Sequence, residues 1–206
     1  MILWNARGLM AKNGHKHVEL AELAAERQPR VIGVTESHLD DSFDDGEVAI
    51  PGYRLLRQDR DPAKSKKKKG GGVAVYIREE FNVTGINRTD GPDFEMVAFT
   101  LPGQIRYAII YRPPGPTVSE ELLGAVEEEF VGQEKRLLAG DLNMHTRAKR
   151  PNPRALFGLV GKELGMEQRV RFITRHKGKH GSTIDHVWTN VPCRCKANVS
   201  LDALSD

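Results

Sequence analysis

Arg136-Leu137-Leu138-Ala139-Gly140-Asp141-Leu142-Asn143 is the stretch whose reading decides the fold. A short apolar run ends on a glycine and a carboxylate, and an amide follows two residues on. An apolar run of strand length reads as a strand buried on both faces. Val31-Ile32-Gly33-Val34 is built the same way and delivers Glu36 just past its end. Ile2-Leu3-Trp4 ends at Asn5, and Ile105 to Tyr111 ends on a phenol followed by Arg112-Pro113-Pro114. Thr183 to Thr189 alternates polar and apolar residues and carries Asp185.

Outward from these runs, the pattern yields further elements. His17 to Arg27 places Leu20, Leu23 and Ala24 on one face, a helix closed by Pro29. Ser119 stands where it can cap a second helix through Phe130, and Arg154 to Leu164 reads as a third, with Gly165 as its C-cap. Tyr53 to Arg57, Val73 to Ile77, Phe81 to Ile86 and Phe94 to Leu101 read as strands joined by turn residues such as Asp90-Gly91-Pro92 and Pro102-Gly103. Asp40 to Gly52 reads as a loop, and Lys64 to Gly72 as a mobile one. No internal repeat or domain boundary stands out, so residues 1–206 are read as one domain. Many strands with a few helices between them predict two sheets packed face to face with helices outside, an α/β sandwich.

Composition sets the limits. Of 206 residues, 39% are hydrophobic and 29% charged, with a formal net charge of +3, which permits nucleic-acid binding without requiring it. No apolar run approaches the roughly 18 residues that span a bilayer, so no membrane partner is expected. No secretory signal precedes the first strand. Two cysteines, Cys193 and Cys195, are too few for a disulfide framework and lack a zinc-finger partner pair. They read as thiols in a reducing, intracellular compartment.

The polar groups at the strand ends carry the chemistry. Glu36 is placed to hold a hard cation such as Mg²⁺, although alone it reads more readily as a solvated charge. In an extended stretch Asp141 and Asn143 share a face; the plainer alternative is a common Asp-x-Asn turn. The carboxylate can orient or deprotonate a water and the amide can donate to a phosphate oxygen. Gly140 would let a ligand approach the backbone. Tyr111 can donate to a phosphate or simply close the edge of the core. Asp185 can orient an imidazole, whereas His186 points the other way and reads as a satisfied core histidine. Lys66 to Lys69 before Gly70-Gly71-Gly72 lacks the ordered phosphate-loop pattern. Two further basic stretches, Arg147 to Arg154 and Arg169 to His180, flank the Asp141 and Asp185 motifs and suggest a positively charged groove.

Taken together, these motifs resemble the endonuclease/exonuclease/phosphatase superfamily, the fold of DNase I and exonuclease III. Asn5-Ala6-Arg7-Gly8-Leu9, Gly70 to Tyr76, Tyr111 to Pro114 and Asp141-Leu142-Asn143-Met144-His145 look most like the endonuclease domain of non-LTR, LINE-type retrotransposons. The resemblance implies a four-layered α/β sandwich and a Mg²⁺-dependent nick (Mn²⁺ is the alternative ion) in double-stranded DNA. The nick would leave a 3′-hydroxyl for a reverse transcriptase domain of the same polyprotein, in the nucleus. It implies Glu36, Asn5 and Asp206 as metal ligands, and Asp141, Asn143, Tyr111, Asp185 and Asp206 as catalytic residues. Asn5, Thr174, Ser182, His145 and Arg147 are then expected on the substrate. The family's Ser-Asp-His motif would place a histidine after Asp206, where the sequence ends. The expectation is therefore a C-terminally truncated sandwich or a degenerate element, impaired in catalysis. Pro114 stands where the apurinic-site repair branch often has an asparagine, which weighs against that branch. An apurinic-site, exonuclease III-like repair nuclease, a small-molecule phosphatase and a catalytically impaired DNA-binding fragment remain as alternative readings.

Overall fold

The computed structural model describes residues 1–11, 13–145, 151–177 and 180–192. Its elements, in order, are β1 (Ile2–Asn5), α1 (His15–Arg27), β2 (Val31–Thr35), β3 (Tyr53–Gln58), β4 (Val73–Arg78), β5 (Thr84–Gly91), β6 (Phe94–Leu101) and β7 (Ile105–Tyr111). Then come α2 (Glu120–Phe130), β8 (Lys135–Asp141), α3 (Pro151–Gly158), β9 (Glu167–Gln168), β10 (Arg175–Lys177), β11 (His180–Ser182) and β12 (Asp185–Thr189).

The strands form a four-stranded sheet, β1-β2-β4-β3, and a six-stranded sheet, β5-β6-β7-β8-β12-β9, with β10 and β11 as a separate hairpin. The β1/β2 and β7/β8 pairs are parallel and the others antiparallel. Each parallel pair is joined through a helix, α1 or α2, because parallel neighbours need a crossover.

Strand alternation sorts side chains into layers. Val73, Val75 and Ile77 of β4 face Val97, Phe99, Ile109 and Ala139 of the other sheet. Ala74 and Tyr76 face outward, onto Leu20 and Ala24 of α1. On the far side, Leu122, Val126 and Phe130 of α2 cover Met96, Ala98, Ala108, Ile110 and Leu138. The result is the expected four-layered α/β sandwich, two mixed sheets between outer helices.

Several elements depart from the sequence reading. The strand expected at Phe81 to Ile86 is β5, displaced to Thr84–Gly91. Its first five residues are exposed, so no apolar alternation marks it. Backbone pairing with β6 selects the register, from Gly91 opposite Phe94 onward. The third helix starts at Pro151 and continues past Gly158 as a π-helical stretch, Leu159–Glu163. Gly165 (φ +65) follows the helix end as its sequence suggests. The Lys-rich loop is tied down. Lys66 N–H donates to Pro92 O, Lys68 Nζ to Pro62 O, and Arg60 Nη1 to Lys69 O.

Gly140 has φ +150, and a Cβ there would stand 1.7 Å from Ile110 O. What presses on this glycine is the backbone of β7, not a ligand.

Candidate active site

Sheet register lines up the site. Tyr111 at the end of β7 is the partner of Asp141 at the end of β8, and Asp141 is the partner of Asp185 at the start of β12. On the other sheet Asn5 ends β1 opposite Thr35, and Glu36 follows directly. Asn5 joins the two sheets. Its Nδ2 donates to Glu36 Oε1 at 3.1 Å and to Asp141 Oδ2 at 2.7 Å. The bond from Asn5 to Asp141 spans 136 positions of sequence.

Glu36 has a left-handed backbone, φ +50. Burial pushes its carboxyl up, but the nearby His38 imidazole, the hydrogen bond from Asn5 and the Tyr111 phenol outweigh burial and hold its pKa at about 2. A permanently ionised, partly exposed carboxylate suits a hard divalent cation. Among the described residues no three His, Cys, Asp or Glu side chains gather as a metal cluster. The donors on hand are Glu36, the Asn5 amide and His38, whose Nε2 lies 3.6 Å from Glu36 Oε2.

Asp141 behaves oppositely. It is 1% exposed. Burial first, then the Asp185 carboxylate, push its pKa up to about 7, against hydrogen bonds from Asn143 N–H and Asn5. Asp185 is also raised, mainly by burial, while Thr174 hydrogen-bonds it. The Thr174 hydroxyl oxygen also accepts from Ile184 N–H and Asp185 N–H, at 3.0 and 3.1 Å. Thr174, expected on the phosphate, is therefore engaged with Asp185. The Tyr111 phenol is held protonated by burial and by the nearby Glu36 charge.

Asn143 reaches the site by another route than the one expected. It is not extended but left-handed, φ +49. Its N–H donates to Asp141 Oδ1 at 2.8 Å and its Nδ2 to Arg112 O at 2.9 Å. The Asp-x-Asn turn, rather than strand alternation, brings the amide beside the carboxylate. Arg112, 1% exposed, fixes that turn from below. Its N–H donates to Asp141 O, and its guanidinium to Leu142 O, Gly115 O and Thr117 O.

The other expected residues divide. Ser182 ends β11 opposite Arg175, and His145 lies near enough to His186 to affect its titration. Arg147 and Asp206 lie outside the described residues, as do Cys193 and Cys195. His186 is the satisfied core histidine expected. It is fully buried, with Nε2 at 2.8 Å from Met144 O and Nδ1 at 2.6 Å from Gln168 Nε2.

One feature was read only as part of a basic stretch, and two escaped the sequence reading. Arg175 Nη1 reaches Asn143 Oδ1 at 3.4 Å, so one member of the third basic stretch enters the site. His38 stands two residues past Glu36, and that closeness is the signal that could have found it. Arg60 and Glu95 form a buried ion pair, 5% and 1% exposed at the side chains, with 2.6 Å between Nε and Oε1. Glu95 is the cross-strand partner of Tyr111 and accepts Gly72 N–H, and the Arg60 guanidinium lies 5.8 Å from the Tyr111 ring centroid. Nothing in sequence spacing links residues 60 and 95.

A family model described as "Endonuclease/Exonuclease/phosphatase family" matches residues 2–206. No curated protein sequence matches the chain. Among solved structures, the chain is similar to a 3′-5′ exonuclease from Neisseria meningitidis, with TM-score 0.65 and 18% identity, over 91% of this chain and 85% of that one. An AP endonuclease from Archaeoglobus fulgidus aligns with TM-score 0.62 and 17% identity, over 92% and 86%. A mannosyl-6-phosphatase from Bacteroides thetaiotaomicron aligns with TM-score 0.58 and 14% identity, over 91% and 83%.

Proposed function

The chain belongs to the endonuclease/exonuclease/phosphatase family, and from that premise we propose that it is a Mg²⁺-dependent endonuclease that nicks one strand of DNA. Members of the family hydrolyse phosphodiesters or phosphate esters and are generally dependent on a divalent metal. The observation that carries the proposal is the Asn5 amide shared by Glu36 and Asp141, which fuses a metal-type carboxylate and a base-type carboxylate into one site.

Glu36 and Asn5 would hold the cation, with Mn²⁺ as the alternative ion. When bound, it would offset charge developing on the phosphate and the leaving oxygen. The remaining work falls to the chain's own groups. Asp141, with its pKa near 7, is matched to taking a proton from an attacking water at neutral pH. Tyr111, held protonated, and Asn143, with one amide hydrogen free of Arg112, serve as donors to the phosphate oxygens. Asp185, held by Thr174, holds negative charge beside Asp141 and so raises its basicity.

The finer reading is the endonuclease of a non-LTR retrotransposon, acting in the nucleus beside a reverse transcriptase domain of the same polyprotein. The motifs Asn5 to Leu9, Gly70 to Tyr76, Tyr111 to Pro114 and Asp141 to His145 support it. Arg175 beside Asn143 favours a polyanion over a small phosphate ester.

The test is to incubate the protein with supercoiled plasmid and Mg²⁺, then offer the product to a DNA polymerase without prior end repair. Open circles that are extended directly carry a 3′-hydroxyl, as the proposal requires. Phosphate release from small esters without plasmid nicking would replace the reading with a phosphatase.

A further inference from the structure

His38 takes no part in the mechanism above, yet the fold holds its imidazole with care. Its backbone is left-handed, φ +54, two residues after Glu36 at φ +50. Non-glycine residues keep such conformations only where their surroundings hold them, and they cluster at ligand clamps. His38 N–H donates to Gly71 O at 2.8 Å. Gly70 and Gly8 border the ring. A Cβ built on Gly70 would stand 3.0 Å from Nε2, and one built on Gly8 would stand 3.3 Å from Nδ1. The three glycines of the Lys-rich loop thus form a saddle: Gly70 admits the His38 ring, Gly71 the Arg60 guanidinium and Gly72 the Ser37 hydroxyl.

The slot aims the ring at Glu36. Nε2 lies 3.6 Å from Oε2, while Oε1 is the atom that Asn5 holds. Two ligands of one cation, each at about 2.0–2.1 Å, stand 3–4 Å apart at ordinary bond angles. The side chains are 38% and 20% exposed, so a solvated ion can reach both.

We propose that His38 is a nitrogen ligand to the cation held by Glu36, giving the site a mixed nitrogen and oxygen donor set. The inference rests on the assignment of Glu36 as the metal carboxylate. Mg²⁺ is hard and takes oxygen ligands, whereas imidazole suits first-row transition ions. The site then binds transition ions more tightly than a carboxylate-and-water site does, with little gain for Mg²⁺. The Gly70-Gly71-Gly72 run serves the metal by seating the ring, not by cradling a phosphate.

The experiment uses the whole chain and Mn²⁺ as the probe. Bound Mn²⁺ is followed by electron paramagnetic resonance, and its pulsed spectrum is read for modulation from an imidazole ¹⁴N. The wild-type protein is compared with His38→Ala, His38→Gln and Glu36→Gln, with thermal unfolding as the check that each is folded. Wild-type protein should show modulation from one imidazole. Both His38 variants should lose it and bind Mn²⁺ at least about tenfold more weakly, the lower end of what even loss of a ligand's supporting partner costs. Mg²⁺ affinity, read by competition, should change much less. Absence of modulation in wild-type protein, or its persistence in both His38 variants, overturns the proposal. If wild-type lacks modulation but Glu36→Gln loses Mn²⁺, the His38 role falls and the Glu36 assignment stands. Unchanged Mn²⁺ binding by Glu36→Gln overturns both.

Discussion

Asp141 and Glu36 are both carboxylates at strand ends, tied to the same amide, and the fold drives them in opposite directions. Asp141 moves from an ordinary 3.8 up to about 7, and Glu36 from 4.5 down to about 2. Between about pH 4 and 7, folded Asp141 keeps a proton that the unfolded chain has released. It therefore lowers stability as pH rises through that window. Glu36 contributes stability above about pH 4.5 that is lost as pH falls towards 2. His186, pushed by burial from 6.5 to about 4, opposes Asp141, because the unfolded chain binds its proton first. The difference between wild-type and Asp141→Asn isolates the Asp141 contribution. In chelator, the variant's unfolding temperature should gain on wild-type as pH rises from 4 to 7. A gap independent of pH would contradict the raised pKa. At this scale the sequence revealed several of the polar residues that meet, since Glu36, Tyr111 and Asp141 stand at the ends of buried strands. It did not reveal how. Asn143 arrives by a left-handed turn, and the Thr174 hydroxyl is occupied by Asp185, because turn geometry and local hydrogen bonding leave no periodic trace.

Among the elements, buried strands were legible and exposed or short ones were not. β2, β4, β7 and β8 announce themselves as apolar runs. β5 is mostly polar and takes its register from backbone pairing with β6, and the β10/β11 hairpin is only three residues a side. Two elements carry their own predictions. The β7/β8 pairing leaves no room at Gly140, so Gly140→Ala should destabilise by about 4 kcal/mol or more, or prevent folding. Denaturant unfolding measures this, and a loss below about 1 kcal/mol would mean that the strands can part cheaply. Arg60 and Glu95 tie the loop before β4 to β6, behind Tyr111. Removing one partner of such a buried pair costs about 3–5 kcal/mol, because the other charge is left unpaired. Arg60→Met should show that loss, and adding Glu95→Leu should recover much of it. Additive losses would show that the pair acts through packing rather than charge.

Over the whole molecule, the two sheets converge at one end, where Asn5 and Glu36 of one meet Tyr111, Asp141 and Asp185 of the other. The convergence follows from topology: β1 and β2 run parallel, as do β7 and β8, so their C-terminal ends lie side by side. Sequence order alone suggested the pocket, but only tertiary packing supplies the Asn5 bridge, the Arg112 support and the His38 slot. The net charge of +3 is small, so DNA affinity must come from local placement. If the groove is basic, binding should weaken steeply with salt through counterion release. Binding to a duplex oligonucleotide at 50 and 200 mM salt measures this, and salt-independent affinity would point away from a DNA substrate. The most direct measurement is the rate of plasmid nicking in Mg²⁺ by wild-type protein and by Asp141→Asn, each with and without chelator. The account predicts conversion of supercoiled to open-circular DNA by wild-type protein, abolished by chelator and slowed about 10²–10⁴-fold in the variant, as loss of a positioned general base does. Nicking that survives chelator, or that proceeds at the wild-type rate in Asp141→Asn, would contradict it.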